Sequence, residues 1–186
     1  MESNNITIPR DGAAIRLYGT DGDGHCLFRA LAEAHGQRLS MEEIWALRRL
    51  ISERVSNMSD RQFENEMSVA EQILAESEDG VDAYCEKMAT TAAFGGPIEV
   101  MAYVEEKAGA CSVRLWTERS LDGVDVLQEL QHYHPPARSA DAKIIELLWK
   151  DSGDASAGRD GADHFERFDW TGVRQPSLCP TPLAPP

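Results

Sequence analysis

TDGDGHCLFRALAEAHG, residues Thr20–Gly36, brings two Asp-Gly pairs and a histidine directly before a cysteine that opens a helix. After the cysteine, apolar residues recur with the spacing of one buried helix face: Leu27, Ala30, Leu31 and Ala34. Gly36 stands where such a helix ends. Cys26 therefore lies in the first helical turn. Unpaired amides and the positive end of the helix dipole favour an anion there, so the sequence predicts that its thiolate forms more easily than in free cysteine.

Three patterns further along the chain predict helices. Ser40 and Glu43 have the spacing of a capping box, and a buried stripe of helical period follows them: Ile44, Leu47, Ile51 and Val55. Residues 59–90 indicate further helix with one break. Pro97 and Gly109 mark the first position and the end of another helix.

Three runs predict strands. Residues 111–116 (CSVRLW) and 164–170 (HFERFDW) alternate between apolar and polar side chains, which is typical of strands. Residues 142–150 (AKIIELLWK) indicate a more deeply buried strand, although their length also allows a helix. Residues 14–20 (AIRLYGT) fit a short strand or an extended lead-in. These elements predict one α+β domain over residues 13–170, with a small central β-sheet packed between helices.

Three segments show no such periodicity. We expect residues 1–12 to be disordered. Residues 151–163 are rich in Gly, Asp and Ser and are expected to form a loop. The composition changes after Trp170, and residues 171–186 are expected to form a proline-rich disordered tail or linker.

Composition narrows the class of partner. The 186 residues carry 18 Lys and Arg against 32 Asp and Glu, a net charge of -14 that argues against nucleic acid or anionic membrane and favours a basic partner. No hydrophobic run has the length of a membrane span or the form of a signal peptide. The four cysteines form no C-x-x-C pair, so neither a disulfide framework nor a thiolate zinc site is indicated. We expect a monomer in a reducing cytoplasm, or in the host cytosol if the source is a pathogen.

A cysteine nucleophile needs a nearby base. His25 adjoins Cys26 in sequence, so its side chain diverges from the thiol in most backbone geometries. His132 and His134 precede two prolines and fit a solvated loop or strand end; on a strand they would share a face, but no third metal ligand adjoins them. His164 opens a strand-like run directly after the flexible loop, which makes it the preferred partner of Cys26.

These motifs together resemble a known family. DGDGHCLFRAL is similar to the nucleophile segment of the ovarian-tumour (OTU) cysteine proteases, FGGPIEVMAYVEEKAGACSVRLW resembles their glycine-pair, helix and strand block, and HFERF resembles their histidine strand. The three pieces keep the family's order. The resemblance implies a papain-like OTU-type fold and a cysteine-type deubiquitinase, which needs no metal or organic cofactor. Its partner would be ubiquitin or polyubiquitin, or another ubiquitin-like protein.

The resemblance also implies roles for individual residues. Cys26 matches the nucleophile, His164 the general base and Asp23 the acidic residue of the family's D-G-x-C motif. Backbone amides of the loop from Asp23 through Gly24 and His25 to Cys26 would form the oxyanion hole.

Two positions depart from the family pattern and leave alternatives open. His25 replaces the usual asparagine before the cysteine. Glu166 replaces the usual Asp or Asn two residues after the histidine, so either Glu166 or Asp23 could orient His164. A non-catalytic ubiquitin-binding module with the same fold, and a papain-like hydrolase for another ubiquitin-like tag, remain the alternative functions.

Overall fold

The described part of the chain, in a computed structural model, covers residues 7–9, 15–18, 22–63, 67–77, 80–135, 139, 142–150 and 164–170. Its helices are α1 Cys26–Ala34, α2 Met41–Asn57, α3 Val69–Ser77, α4 Val81–Thr90 and α5 Pro97–Glu106. Its strands are β1 Thr7–Pro9, β2 Ile15–Tyr18, β3 Cys111–Leu121, β4 Val124–Tyr133, β5 Lys143–Lys150 and β6 His164–Trp170. The predicted α+β class is confirmed.

The strands form one mixed sheet in the order β1-β4-β3-β5-β6-β2. β3 and β5 run parallel at its centre, and the other neighbouring pairs are antiparallel. β6 pairs with β5 so that His164 lies opposite Lys150. Helix α1 packs against β6. The helix that begins with Cys26 therefore lies against the strand predicted to carry the base.

The strands predicted at residues 111–116, 142–150 and 164–170 are present, and the run at residues 14–20, left open between a strand and an extended lead-in, contains strand β2. β4 was not foreseen. It follows β3 through Asp122 and Gly123, whose φ angles of 52° and 80° are those of a two-residue hairpin turn. The LDGVD sequence around this turn carried the signal.

The prediction of disorder over residues 1–12 is wrong for Thr7–Pro9. These three residues form β1, which pairs antiparallel with the segment of β4 from Val126 to Gln128. The pairing satisfies backbone groups that β4 would otherwise expose at the sheet edge. The predicted loop at residues 151–163 and the predicted tail at residues 171–186 lie outside the described residues.

Two groups of buried side chains cover the two faces of the sheet. The larger cluster joins residues of all five described helices to one sheet face and includes Cys26 and Phe165. The smaller cluster contains strand residues only, namely Trp116, Leu127, Leu148 and Phe168. Alternate residues of β6 therefore face different clusters, as the period of a strand requires.

The helix predictions hold in most details. The capping box of α2 is formed, since the Ser40 N–H donates to Glu43 Oε2 at 2.7 Å and the Glu43 N–H to Ser40 Oγ at 3.3 Å. Pro97 opens α5 as predicted. The helix expected from residue 59 begins only at Val69. None of the described helices combines the length and apolar character needed to cross a membrane.

Candidate active site

Cys26 is the first residue of α1 and is 1% exposed. The turn before it depends on Gly24, whose φ is +79°. A Cβ added at Gly24 would lie 1.8 Å from the carbonyl oxygen of Ala92. Glycine is therefore required by backbone conformation and by space, which explains the tight Asp-Gly sequence before the cysteine.

Strand β6 reaches the thiol through its backbone. A backbone hydrogen bond from Phe165 to the Cys26 thiol favours the thiolate. Phe165 also belongs to the same buried cluster as Cys26. His164 is the preceding residue and the first of β6. The structure thus brings Cys26 to the strand end that carries the predicted base.

The predicted ease of thiolate formation is not seen. Burial raises the pKa of the Cys26 thiol above its ordinary value, and backbone hydrogen bonds from Phe165 and Leu27 only partly oppose this effect. Removing the thiol from water penalises the charged form more than the helix start favours it. Cys26 is therefore a protonated thiol at neutral pH, and a reaction through it requires a base.

Asp23 shapes the cysteine loop. Its carboxylate accepts two hydrogen bonds from the Arg29 guanidinium, at 2.6 and 2.7 Å, and one from the His25 N–H at 3.1 Å. Burial raises the pKa of this carboxyl, but the bonds from Arg29 and His25 outweigh burial and hold the pKa below its ordinary value. The ionised carboxylate thus ties the loop to the first turns of α1.

The His25 amide is one of the four predicted oxyanion-hole donors, and its bond to Asp23 occupies it. This leaves the amides of Asp23, Gly24 and Cys26 as candidates. The His25 side chain turns into the protein, where its ring meets Trp45 edge-on with centroids 4.8 Å apart. Burial lowers the pKa of His25, and the charge of Arg48 lowers it further.

Glu166 lies on β6, two residues after His164. Its carboxylate accepts a hydrogen bond from Lys150 Nζ at 2.8 Å. Lys150 is the Cα partner of His164 across the β5–β6 ladder, whereas Glu166 itself pairs with Leu148. The Glu166 carboxylate therefore extends toward the end of the ladder at which His164 stands.

His132 and His134 lie at the end of β4 and just after it, with ring centroids 5.6 Å apart. Their proximity agrees with the predicted shared face. Across the residues that the structure describes, no three His, Cys, Asp or Glu side chains cluster as a metal site would require.

Two fully buried charged residues were missed from the sequence. Arg48 and Glu99 are both 0% exposed. Arg48 donates from Nη1 to the Gly24 carbonyl oxygen at 2.9 Å. The signal was its place inside the buried stripe of α2, four residues after Ile44 and three before Ile51. A charge at such a position is buried with partners or disrupts the core.

Comparisons with known proteins agree with this geometry. Residues 21–105 match the family model described as OTU-like cysteine protease. The matched segment contains the cysteine loop, helices α1 to α4 and all but the last residue of α5. A comparison with curated proteins found no significant match.

Solved structures of low sequence identity share the fold. The OTU domain of Hazara virus, solved bound to ubiquitin, aligns with a TM-score of 0.59 at 15% identity, covering 91% of this chain and 89% of that chain. The OTUD1 OTU domain aligns with a TM-score of 0.56 at 17% identity, covering 83% and 85%. A further OTU domain in complex with ubiquitin aligns with a TM-score of 0.51 at 16% identity, covering 94% and 81%. The family match through the cysteine loop and this shared architecture confirm the resemblance of the chain to the OTU-like cysteine proteases and show an OTU-type fold.

Proposed function

We propose that the chain is a deubiquitinase that hydrolyses isopeptide bonds of ubiquitin or polyubiquitin. One observation carries the proposal: Cys26 opens α1 and receives the backbone hydrogen bond of Phe165, the residue after His164. Two structurally similar OTU domains were solved with ubiquitin bound. An enzyme of this kind needs a thiol and a base at one place, and the fold supplies both chain segments.

In the proposed mechanism His164 is the base. Its imidazole takes the proton of the Cys26 thiol, and the sulfur attacks the carbonyl carbon of the isopeptide bond. The tetrahedral oxyanion collapses as the imidazolium returns the proton to the leaving lysine amine, which leaves a thioester on Cys26. Water then gives a proton to His164 and attacks the thioester, so that the ubiquitin carboxylate and the free thiol are released. The high pKa of Cys26 makes the base essential.

The developing oxyanion would lie near the loop before Cys26. The amides of Asp23, Gly24 and Cys26 are the preferred donors, because the His25 amide donates to the Asp23 carboxylate. Donors fixed before the reaction stabilise the oxyanion without reorganising as charge develops. The net charge of -14 would also favour approach of the basic tail of ubiquitin.

A ubiquitin carrying a thiol-reactive C-terminal group tests this proposal. We expect a covalent adduct with the wild type, located at Cys26 by peptide mass spectrometry, and none with Cys26→Ala. Cys85→Ala is the matched control, because Cys85 is a half-buried cysteine on α4 whose pKa burial raises to about 11. His164→Ala should lower capture nearly as much as Cys26→Ala, whereas His132→Ala should react normally.

The buried, protonated Cys26 also fits a second candidate, a ubiquitin-binding module without catalysis. Such a module would bind ubiquitin tightly, form no adduct and leave diubiquitin uncut. That outcome, or an adduct at another cysteine, would contradict the proposed enzyme.

We propose Glu166 as the residue that orients His164. The Asp23 carboxylate is held by Arg29 and the His25 amide, a loop-shaping arrangement. The Glu166 carboxylate instead reaches Lys150, the residue paired with His164. A carboxylate beside the base would hold the ring and stabilise the imidazolium formed during attack.

Turnover of diubiquitin distinguishes the two acids. Glu166→Ala should lower turnover by a factor on the order of ten to a thousand with little change in ubiquitin affinity, and Glu166→Asp should restore part of it. Lys150→Met is the matched control, since it removes the ion pair and keeps the carboxylate. If Glu166→Ala is silent while folded Asp23→Asn is inactive, Asp23 is the orienting acid.

A further inference from the structure

Arg48 is a buried arginine held by backbone oxygens. It lies in the middle of α2 and is 0% exposed. Its Nε donates to the Met88 carbonyl oxygen at 3.0 Å, Nη1 to that of Gly24 at 2.9 Å and Nη2 to that of Ala93 at 2.8 Å. Within the described residues, no carboxylate lies within salt-bridge distance of this guanidinium.

Aromatic rings fix the plane of the same group. The Arg48 guanidinium carbon lies 4.5 Å from the centroid of Phe28 on α1 and 5.4 Å from that of Trp45 on α2. The guanidinium stacks on these rings and donates to three carbonyls, so its plane can take only one orientation. The guanidinium therefore joins α1 and α2 to the two segments whose carbonyls it binds.

Those two segments meet at Gly24, two residues before Cys26. One is the cysteine loop at Gly24, and the other runs from the end of α4 to the start of α5 and includes Ala92 and Ala93. The space between them is small enough that a Cβ at Gly24 would strike the Ala92 carbonyl. Arg48 donates a hydrogen bond to each of the two segments at this contact. These two bonds fix the distance between the segments and the orientation of the Gly24 peptide.

The charge of Arg48 is balanced at a distance. Burial lowers the pKa of Arg48, and the carboxylates of Glu99 and Asp23 oppose that effect. Glu99 is itself held by hydrogen bonds from the Gly96 N–H and the Tyr84 hydroxyl, both at 2.7 Å. A buried charge without a direct carboxylate partner is costly for folding. Because this costly charge lies beside the cysteine loop, we look for the role of Arg48 in the candidate active site.

We propose that Arg48 is a positioning residue that fixes the Gly24 peptide, and through it the amides facing the oxyanion, from behind the cysteine loop. This inference rests on the proposed function of Cys26. The hydrogen bonds of Arg48 go to three carbonyl oxygens and to the Met88 sulfur, so it would act through the loop backbone. It would act on the rate of attack and leave the binding of ubiquitin unchanged.

Arg48→Lys tests the planar fork, because lysine keeps the charge but cannot donate to three separated carbonyls. In capture by the reactive ubiquitin, the first-order rate at saturating probe should fall by about tenfold or more, while the half-saturating concentration changes less than about twofold. Arg54→Lys is the matched control. Arg54 lies on the same helix, is partly exposed and binds Glu106 away from the loop. It should react at the wild-type rate.

A second arm does not use ubiquitin. The rate of Cys26 alkylation by iodoacetamide, followed against pH by peptide mass spectrometry, should rise at higher pH in Arg48→Gln than in the wild type, because a positive charge near the thiol is lost. Arg54→Gln should follow the wild type. This arm reports on Arg48 even if the wild type fails to react with the ubiquitin probe, a result that would refute only the proposed function.

Three results would overturn the inference. The first is capture of Arg48→Lys by the ubiquitin probe at the wild-type rate. The second is an alkylation profile of Arg48→Gln that does not differ from that of the wild type, and this result decides the question if the probe does not capture the wild type. The third is failure of both variants to fold, because Arg48 would then be a determinant of the whole fold rather than of the site. Circular dichroism and thermal unfolding of each variant identify that case.

Discussion

Arg48 and Arg114 are both buried arginines, yet the protein satisfies them in different ways. Arg48 donates to one backbone carbonyl in the last turn of α4 and to two in connecting segments. Arg114 on β3 lies 3.4 Å from the Glu146 carboxylate on β5, and both side chains are 4% exposed. One guanidinium therefore holds loop backbone beside a cysteine, and the other pairs side chain to side chain within the sheet.

Glu146, the partner of Arg114, is the centre of a hydrogen-bond network within the sheet. Its carboxylate also accepts hydrogen bonds from the indole N–H of Trp116 at 2.6 Å and of Trp170 at 3.2 Å. Burial raises the pKa of Glu146, while the Trp116 bond and the Arg114 charge oppose the rise. The group connects β3, β5 and β6 on the face that carries the smaller cluster. We expect it to stabilise the sheet, and the Arg48 group to govern reactivity.

Gly24→Ala would affect the Arg48 region most. The new Cβ would meet the Ala92 carbonyl, so the Gly24 peptide must leave the position that Arg48 holds. A displacement of this size should lower the rate of ubiquitin capture by about a hundredfold or more. Gly36→Ala is the control, since Gly36 has a φ of +74° but open space around it. Gly36→Ala should lower the free energy of unfolding by roughly 1–2 kcal/mol and leave the rate of ubiquitin capture unchanged. Equal capture by both variants would break the distinction between the two regions.

Glu146→Ala should affect stability instead. It leaves Arg114 buried without its partner, and removing one member of a buried pair typically costs about 3–5 kcal/mol. Urea unfolding measures this loss, with the exposed Glu53→Ala as the reference variant. At a temperature where the variant is folded, its capture rate should equal that of the wild type. A slow but fully folded Glu146→Ala would show that the sheet network also serves the site.

Glu99→Gln sharpens the electrostatic part of the contrast. Burial raises the pKa of Glu99 above its unfolded value, despite bonds from Gly96 and Tyr84. The folded state therefore binds this proton more tightly than the unfolded state, so the contribution of Glu99 to wild-type stability should fall as pH rises above about 4.5. The variant should lose less stability over the same range. Urea unfolding at several pH values tests this, and parallel profiles for the two proteins would contradict it.

Ser40→Ala should have the smallest effect. It removes the side-chain cap of α2, the helix that carries Arg48, and should cost about 1 kcal/mol. Thermal unfolding measures the loss. Because the cap lies two turns from Arg48, the capture rate should not change. A slower reaction would mean that α2 transmits small changes of stability to the cysteine loop, which would weaken the case for a local role of Arg48.

The local elements of this protein could be predicted from the sequence, because their signals repeat within a few residues. Helical spacing after Cys26, the Ser40 capping box and the alternation in β6 each describe contacts that the backbone period creates. The cysteine loop was predictable for the same reason, since adjacent Asp-Gly pairs permit the turn that Gly24 makes.

The chemical state of the site was decided by tertiary structure. The sequence places Cys26 at a helix start, which favours a thiolate, but packing against Phe165 and the core removes the thiol from water and raises its pKa. Packing likewise brings the Arg48 guanidinium to the carbonyls of Gly24 and Ala93, which are distant from it in sequence. Spacing along the chain specifies which face a side chain lies on, whereas burial and electrostatics depend on residues that only the folded chain brings together.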